Sequence, residues 1–441
     1  MTRRNRTTLA VWAVVAMMLT TAGNVRADEA TNTQHQLELL QAQNAKLDAL
    51  VRQQQALIES LNQRVGTIEA KAAPAGLPGA VPGEPAGGLA TNPSGNFSPG
   101  KVNVSGEGSL AFFHSDTAGA YPNSEFRVDE ARLFVEAPVW GEVYFFSELV
   151  LAARDNAGLG LTLGELYLDF ENVSRLWGRD RMLNVRVGRM DIPFGEEYFR
   201  RDSIDNPLIS HSLSDLWGID EGIELYGGIG KFNYAVAVQN GGFSGTHDYD
   251  SDKSVAGRLS YDPTRWLHLS ASGMRTGNLD AVDDLWSELW FGNSWIGAIG
   301  SGNATTFKAN VVEGDIVIRL PHGYLRAFGG YLHYDDNDPV VNNQRDVYYY
   351  TVEPVYDLTR KFYAAARFSQ VFAPEGFRIL GNGTAFAPMT DAIWQLSLGL
   401  GYRFSPQLVL KAEYTFTRGQ ELDGSQRDQE DFFGAAAAFK F

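Results

Sequence analysis

The chain has 441 residues, a formal net charge of −16 and no cysteine. The lack of cysteine excludes disulfides and thiolate metal sites, and the strong acidity argues against a nucleic-acid partner, because phosphates need a basic face. No apolar run reaches the roughly 20 residues of a membrane-spanning helix. This composition still permits a transmembrane barrel, whose strands alternate lipid-facing and polar side chains.

The first 27 residues are predicted to be a signal peptide. Three arginines, Arg3, Arg4 and Arg6, precede an apolar run over residues 9–20, and Val25 and Ala27 supply small side chains for cleavage. The alternative is an uncleaved anchor helix, for which the run is short.

Residues 28–71 are predicted to form a coiled-coil oligomerisation segment. Over residues 37–68, five heptads place apolar side chains at eight of ten a and d positions. Asn44 at an a position and Gln54 at a d position would fix the register. The pattern favours a dimer or a trimer; a single amphipathic helix packed on the next domain is the alternative. Residues 72–100, with six prolines and seven glycines, are predicted to be a linker.

Residues 101–441 are predicted to be an all-β domain. Sixteen segments alternate apolar and polar residues, at 102–113, 126–138, 141–153, 161–172, 182–189, 220–229, 231–240, 254–262, 265–275, 306–320, 323–334, 346–357, 361–371, 393–404, 407–417 and 430–441. The connections after even-numbered segments are mostly short, whereas those after odd-numbered segments are long and polar. This parity is typical of a porin-type barrel with tight periplasmic turns and long external loops.

We therefore predict a 16-stranded antiparallel transmembrane β-barrel, preceded by a periplasmic α-helical coiled coil. In the last segment, Phe433, Ala435, Ala437, Phe439 and Phe441 form one apolar face that suits lipid. Residues 285–297 fit three alternatives: a further strand, a helix, or a loop lying against the barrel. Were they a strand pair with their neighbour, the count would be eighteen.

The third long connection, residues 190–219, and the strand before it resemble a known protein family in sequence. The stretch VRVGRMDIPFGEEYFRRDSIDNPLISHSL (185–213) is similar to the signature of the phosphate-selective porins O and P, through residues 185–189, the Pro193-Phe194-Gly195 bend, Glu197, Pro207 and Ser212. The resemblance implies a sixteen-stranded, usually trimeric outer-membrane channel in which this loop folds inward and narrows the pore.

Independent features also favour an inward loop. Pro193 and Gly195 allow a sharp bend directly after the strand, and the charges that follow form a mixed cluster suited to a constriction. The predicted constriction residues are Arg189, Pro193, Phe194, Gly195, Glu196, Glu197, Arg200, Arg201 and Asp202. The alternative is a surface loop whose charges pair in solvent.

Alternation also predicts which charges face the interior. In 361–371, Phe362, Ala364, Ala366 and Phe368 form a lipid face, which turns Arg367 inward. The bases predicted to face inward are Arg132, Arg186, Arg258, Arg319, Arg367 and Lys411; the acids are Glu107, Glu130, Glu136, Glu148, Glu165, Asp169, Glu224, Glu313, Asp315, Glu353 and Glu413. Because anion selectivity needs rings of Arg and Lys, this excess of acids argues against phosphate preference and favours weak cation preference or none.

Catalytic and metal-binding patterns are sparse. Ser210-His211-Ser212 is the strongest catalytic candidate, but adjacent side chains on an extended chain point apart. Asp248, Asp250 and Asp252 resemble the start of a calcium loop that lacks its glycine and its closing glutamate. We predict no enzyme activity, no cofactor and no resident metal.

Two classes of function follow. The first is passive diffusion of small hydrophilic solutes or ions through a homo-oligomer, a trimer by the resemblance, embedded in outer-membrane lipid of a Gram-negative-type bacterium. The second is an outer-membrane anchor whose coiled coil reaches the periplasm and contacts peptidoglycan. A phosphate-selective channel is a third hypothesis, which the predicted acidic interior opposes.

Overall fold

The computed structural model describes residues 102–154, 160–242, 247–284, 302–381 and 388–441. All described residues belong to one unit, Gly87–Phe441. The predicted signal peptide, coiled coil and linker lie outside the described residues.

Sixteen long strands form the described unit. Numbered in chain order, they are β1 Asn103–Ser115, β2 Glu125–Trp140, β3 Val143–Ala152, β4 Thr162–Phe170, β5 Asn184–Asp191, β6 Ile219–Ile229, β7 Phe232–Gln239, β8 Ser254–Thr264, β9 Leu267–Arg275, β10 Thr306–Leu320, β11 Gly323–Asp336, β12 Arg345–Asp357, β13 Phe362–Arg378, β14 Met389–Ser405, β15 Leu408–Glu421 and β16 Phe432–Lys440. Two-residue strands at Leu279–Asp280 and Gln426–Arg427 and 3₁₀ turns at Val173–Trp177 and Glu197–Arg200 lie in the connections.

The strands form one closed antiparallel ring. Each pairs with its neighbours in sequence, and β1 pairs with both β2 and β16. At this seam the Gly106 and Phe441 backbones bond reciprocally, N–H to O, at 2.9 and 3.1 Å. A Cβ on Gly106 would lie 2.6 Å from the Phe441 ring, so glycine lets the ring pack against the strand.

The predicted sixteen-stranded antiparallel barrel is confirmed. The alternative of eighteen is wrong, because β9 and β10 pair directly, from Arg275 with Asn310 to Leu267 with Ile318, and leave no place between them for another strand. Residues 285–297 themselves lie outside the described residues. The segments predicted at 361–371 and 393–404 extend further, because β13 and β14 resume pairing at Phe377 and Thr390 after an irregularity.

The two faces of the ring differ as alternation requires. In β13, Tyr363, Ala365 and Arg367 are buried whereas Phe362 is 50% exposed. Large exposed apolar side chains cover the outer face, among them Leu168, Val187, Ile223, Leu225, Val236, Leu259, Leu398 and Leu400. No helix in the described part of the chain is long and apolar enough to cross a membrane.

The inner face also carries an apolar cluster, which the sequence pattern did not predict. It joins the long-loop ends of β8 to β14 to the connection between β5 and β6, through Phe307, Tyr334, Phe377, Phe194 and Leu216. On β10 the polarity is reversed at this end: Phe307 and Ala309 are buried inside, whereas Lys308 and Asn310 are exposed outside. Part of the interior is therefore packed like a core.

Candidate functional site

Residues 192–218, called here the inner segment, connect β5 to β6 through the inside of the ring. The segment contacts β2 through Asp202, β9 through Glu196 and β15 through the carbonyl of Asn206. Because β2, β9 and β15 occupy different sides of a closed ring, a chain that touches all three lies within it.

The segment turns inward at a bend that is bonded to the strands of the ring, called here the wall. Its base is closed by the Ile192 N–H, which donates to the Gly218 carbonyl at 2.8 Å. At the bend, Gly195 donates its N–H to Ser272 Oγ at 3.0 Å and accepts a bond from Arg258 Nη1 at 3.0 Å. Phe194 is fully buried in the apolar cluster, so the Pro193-Phe194-Gly195 sequence fixes where the chain leaves the strand.

We expect Gly195→Ala to destabilise the protein. Gly195 has φ of +65°, and a Cβ there would lie 2.4 Å from Glu313 Oε1. The backbone conformation alone costs about 1–2 kcal/mol for a residue with a Cβ, and the clash adds to it. Gly230, with φ of +66° and open space around it, is the matched control. Thermal unfolding should show a larger loss for Gly195→Ala than for Gly230→Ala; equal losses would contradict the clash.

The charges at residues 196–202 do not form the predicted cluster. Glu196 contacts His268 on β9 at 2.8 Å, Arg200 stacks over Tyr324 on β11 at 4.6 Å, and Asp202 accepts from Arg132 on β2 at 2.9 Å. The 3₁₀ turn at Glu197–Arg200 explains this, because three residues per turn send successive side chains in different directions. The charges therefore attach the segment to opposite walls.

Two more of the predicted residues have partners within the segment. Glu197 accepts bonds from the Ser212 N–H, at 3.1 Å, and from the Ser212 hydroxyl. Arg201 donates to both oxygens of Asp215 at 2.9 and 2.7 Å and lies 4.0 Å from the Trp217 ring. These contacts hold the two ends of the segment together.

The structure places Arg189 away from the inner segment. It belongs to β5, three residues beyond Arg186, and pairs across the sheet with Glu221 at 2.9 Å. Its register partners are Leu166 and Glu221, whereas those of Arg186 are Asp169 and Glu224. An odd spacing in a strand reverses the face, so Arg189 lies on the face opposite to Arg186.

The far side of the segment is fixed by three buried charges from β13 and β15. Lys411 donates to the carbonyls of Ser203, Asn206 and Leu208, the last two at 2.6 and 3.1 Å. Arg367 donates to the Ser210 carbonyl at 2.6 Å and to Asn206 Oδ1 at 2.9 Å.

Glu413 completes this attachment. It accepts from the backbone N–H groups of Ile209 at 2.5 Å and Ser210 at 2.9 Å, and from the Ser210 hydroxyl. The wall thus satisfies backbone groups that an inward loop would otherwise bury without partners.

Asp215 makes the attachment of the segment pH-dependent. Burial alone would raise the pKa of Asp215, but the charge of Arg201 and the contact with His211, at 3.1 Å, outweigh burial and hold that pKa well below its ordinary value. A lowered pKa means that the ionised carboxylate stabilises the fold above the ordinary value of 3.8 and that this contribution is lost as the pH falls below it.

We therefore expect the inner segment to stay in place from about pH 7 to pH 5 and to loosen only below about pH 3. The chain has no cysteine, so Ser203→Cys gives a single thiol whose labelling by a maleimide reports release after incubation at each pH. Labelling that is high at pH 7 and falls as the pH is lowered would contradict this sign. A pH dependence that Asp215→Asn leaves unchanged would show that another group causes it.

Many of the interior charges form buried ion pairs. Arg186 bonds Asp169 at 3.1 Å and Glu224 at 3.0 Å. Buried residues of the predicted inward set are Glu107, Glu130, Glu148, Asp169, Arg186, Glu224, Glu313, Asp315, Glu353, Arg367, Lys411 and Glu413; Arg132, Glu136, Glu165 and Arg258 are half-buried, and Arg319 is exposed near a short turn. Arg326, which the prediction missed, is 2% exposed and lies 3.3 Å from Glu353. The acid excess is therefore partly neutralised inside the ring.

The Ser210-His211-Ser212 triplet does not form a nucleophile–base pair. His211 Nδ1 faces Asp215 and its Nε2 faces the Arg201 carbonyl at 3.3 Å, whereas the two serine hydroxyls bond Glu413 and Glu197. This is the divergence expected of neighbours on an extended chain.

The three carboxylates of the calcium-like loop do not converge either. Asp248 pairs with Lys253, and Asp252 accepts from Arg275 at 2.6 Å. The Asp250 carboxylate accepts the backbone N–H of Asp252 at 2.7 Å. Among the residues that the structure describes, no group of three His, Asp or Glu side chains is placed to hold a metal ion.

No family model matches the chain, and no curated protein matches it. Solved structures do match. In-vitro folded OmpT, an outer membrane protein of Vibrio cholerae, is similar with a TM-score of 0.54 at 12% identity, over 77% of this chain and 97% of that one. Its trimer form gives 0.54 at 11% identity, over 78% and 100%.

The outer membrane channel DcaP of Acinetobacter baumannii gives a TM-score of 0.53 at 13% identity, over 77% of this chain and 97% of that one. These structural similarities show that the chain has the fold of these proteins. The proteins that share the fold are described as outer membrane proteins and channels. The resemblance to the phosphate-selective porins O and P stays a prediction.

Proposed function

We propose that this protein is an outer-membrane channel that passes small hydrophilic solutes or ions by passive diffusion, and that the inner segment narrows its pore. The observation that carries the proposal is a closed ring of sixteen strands, apolar outside, with the inner segment attached across its interior. A closed ring leaves no unpaired strand edge in lipid. The similarity to solved outer-membrane channels supports this assignment.

The position of the inner segment supports a route along one side of the ring. The inner face of β8 to β16 is largely buried, and part of it packs in the apolar cluster. Inner side chains of β2 to β4, such as Phe134, Phe146 and Tyr167, are half-buried instead. Solute would therefore pass beside these strands.

Charge supports weak cation preference or none. Several arginines of the interior have carboxylate partners: Arg132 lies within 4 Å of Glu107, Glu148 and Asp202, and Arg186 is shared by Asp169 and Glu224. Arg258 instead donates to the Gly195 carbonyl and to the Tyr198 hydroxyl. Paired guanidinium groups leave no ladder of free cations to attract phosphate.

We propose in addition that the chain assembles as a homo-oligomer, a trimer, as the trimer form of one similar protein suggests.

Single-channel recording of the purified protein in a planar bilayer tests the proposal. We expect steady conductance, a reversal potential in a salt gradient that is neutral or cation-leaning, and no block by added phosphate. Absence of any conductance from folded protein would overturn the channel. Anion selectivity with phosphate block would overturn the charge argument alone and favour the phosphate-selective alternative.

A further inference from the structure

A strip of aromatic rings lines the inner face of β2, β3 and β4. Phe134 and Phe146 have centroids 6.1 Å apart and planes 24° apart; Phe146 and Tyr167 have centroids 5.0 Å apart and planes 23° apart. Phe134 lies two residues beyond Arg132, which contacts the inner segment through Asp202, so the strip shares the inner face. All three rings are half-buried. Phenylalanine is unexpected on a water-facing wall, because barrel interiors are polar.

The strip lies beside an excess of carboxylates. Glu136 is the register partner of Phe146 and is two residues from Phe134 on the same strand. Among the described residues, no hydrogen bond or ion pair engages the Glu136 carboxylate, and the residue is half-buried. Next to it, the single guanidinium of Arg132 is surrounded by Glu107 at 3.7 Å, Glu148 at 3.4 Å and Asp202 at 2.9 Å.

The strip also contacts a cation of the chain itself. The guanidinium of Arg186 lies 4.2 Å from the centroid of the Tyr167 ring and 5.0 Å from that of Tyr226. One end of the strip is thus already occupied by a cation over a ring face. The end at Phe134 and Phe146 has the same aromatic character and a carboxylate, Glu136, but among the described residues no arginine or lysine stacks over its rings.

We propose that Phe134, Phe146 and Glu136 form a binding site for an organic ammonium ion. Aromatic rings attract ammonium groups electrostatically and cover their methyl groups, and a neighbouring carboxylate balances their charge. A hydrated metal ion would gain less, because it would lose water without burying apolar surface. From Arg132 the strip runs toward the short turn after Trp140, so the site lies on the short-turn side of the inner segment.

The site's role in selecting solutes rests on the proposed channel, but binding itself does not. Isothermal titration of the full chain in detergent with choline tests binding, and 3,3-dimethylbutan-1-ol, its uncharged carbon analogue, tests the need for charge. We expect choline to bind and the analogue to bind at least about fivefold more weakly. Glu136→Gln and Phe146→Leu should each weaken choline binding about five- to tenfold.

Phe112→Leu is the matched control, because Phe112 belongs to an aromatic group with Phe126 and Phe433, on the outer face by alternation from the buried Phe113. Thermal unfolding of each variant shows whether it folds. Equal affinity for choline and its analogue would contradict the proposed site. Equal losses of choline affinity in Phe146→Leu and Phe112→Leu would contradict it as well. If the protein binds choline but carries no current, the binding site is supported and the proposed channel is rejected. If it carries current but does not bind choline, the channel is supported and the binding site is rejected.

Discussion

Replacing Lys411 with methionine is expected to raise the single-channel current and its noise. Lys411 is 6% exposed, and its ammonium group donates to the carbonyls of Ser203, Asn206 and Leu208. Methionine replaces the unbranched stem of the side chain, one atom shorter, but donates nothing, so three carbonyls lose their donor. Each buried acceptor left without a partner costs about 1–3 kcal/mol, enough to detach this part of the inner segment for much of the time.

The measurement is single-channel recording of Lys411→Met beside Lys308→Met. Lys308 is exposed on the outer face of β10 and pairs with Asp335 at 3.2 Å, so its loss should leave the current unchanged. If Lys411→Met folds and conducts with wild-type amplitude and noise, the inner segment does not limit the pore at this attachment.

Replacing Phe194 with alanine is expected to lower the free energy of unfolding by about 3–5 kcal/mol, the usual cost of removing a buried phenylalanine side chain. Phe194 is 0% exposed and packs in the apolar cluster that joins the inner segment to the wall. The loss should follow both from the apolar surface removed and from the cavity left between the segment and β8 to β14.

Denaturant unfolding in lipid vesicles, followed by tryptophan fluorescence, measures this loss. Phe199→Ala is the matched control, because Phe199 belongs to the same segment and is 40% exposed. We expect a much smaller shift of the transition for Phe199→Ala. Equal shifts for the two variants would mean that the apolar cluster does not hold the segment in place.

The barrel could be predicted from the sequence because its signals are local. Alternation marks each strand, and the short and long connections mark which strand ends share a side of the membrane. The inner segment could be located from Pro193 and Gly195. The attachments of the inner segment to the barrel could not be predicted. The partners of Lys411 and Arg367 lie roughly 200 and 160 positions away from them in the sequence, and the register of the strands alone does not specify these contacts.

Two omissions and one misplacement have physical reasons. The sequence pattern does not predict that Phe307 and Tyr334 are buried inside; they pack in the apolar cluster that includes Phe194 of the inner segment, and alternation along a single strand does not report such a contact. Arg326 is missed because it lies on one face of its strand with Tyr324 and Phe328, two aromatic side chains that do not mark a polar face. The charges of residues 196–202 are close in sequence, but a 3₁₀ turn separates their side chains.

The seam between β1 and β16 has a kinetic consequence. Every other pairing in the ring joins strands adjacent in sequence, so each can form as a local hairpin with a modest entropic cost. The pairing of Gly106 with Phe441 joins positions about 330 apart, and the ordering of the intervening chain must precede it. Folding should therefore pass through an open, curled sheet whose two edge strands meet last, and substitutions at Gly106 should slow this closing step more than substitutions in any hairpin.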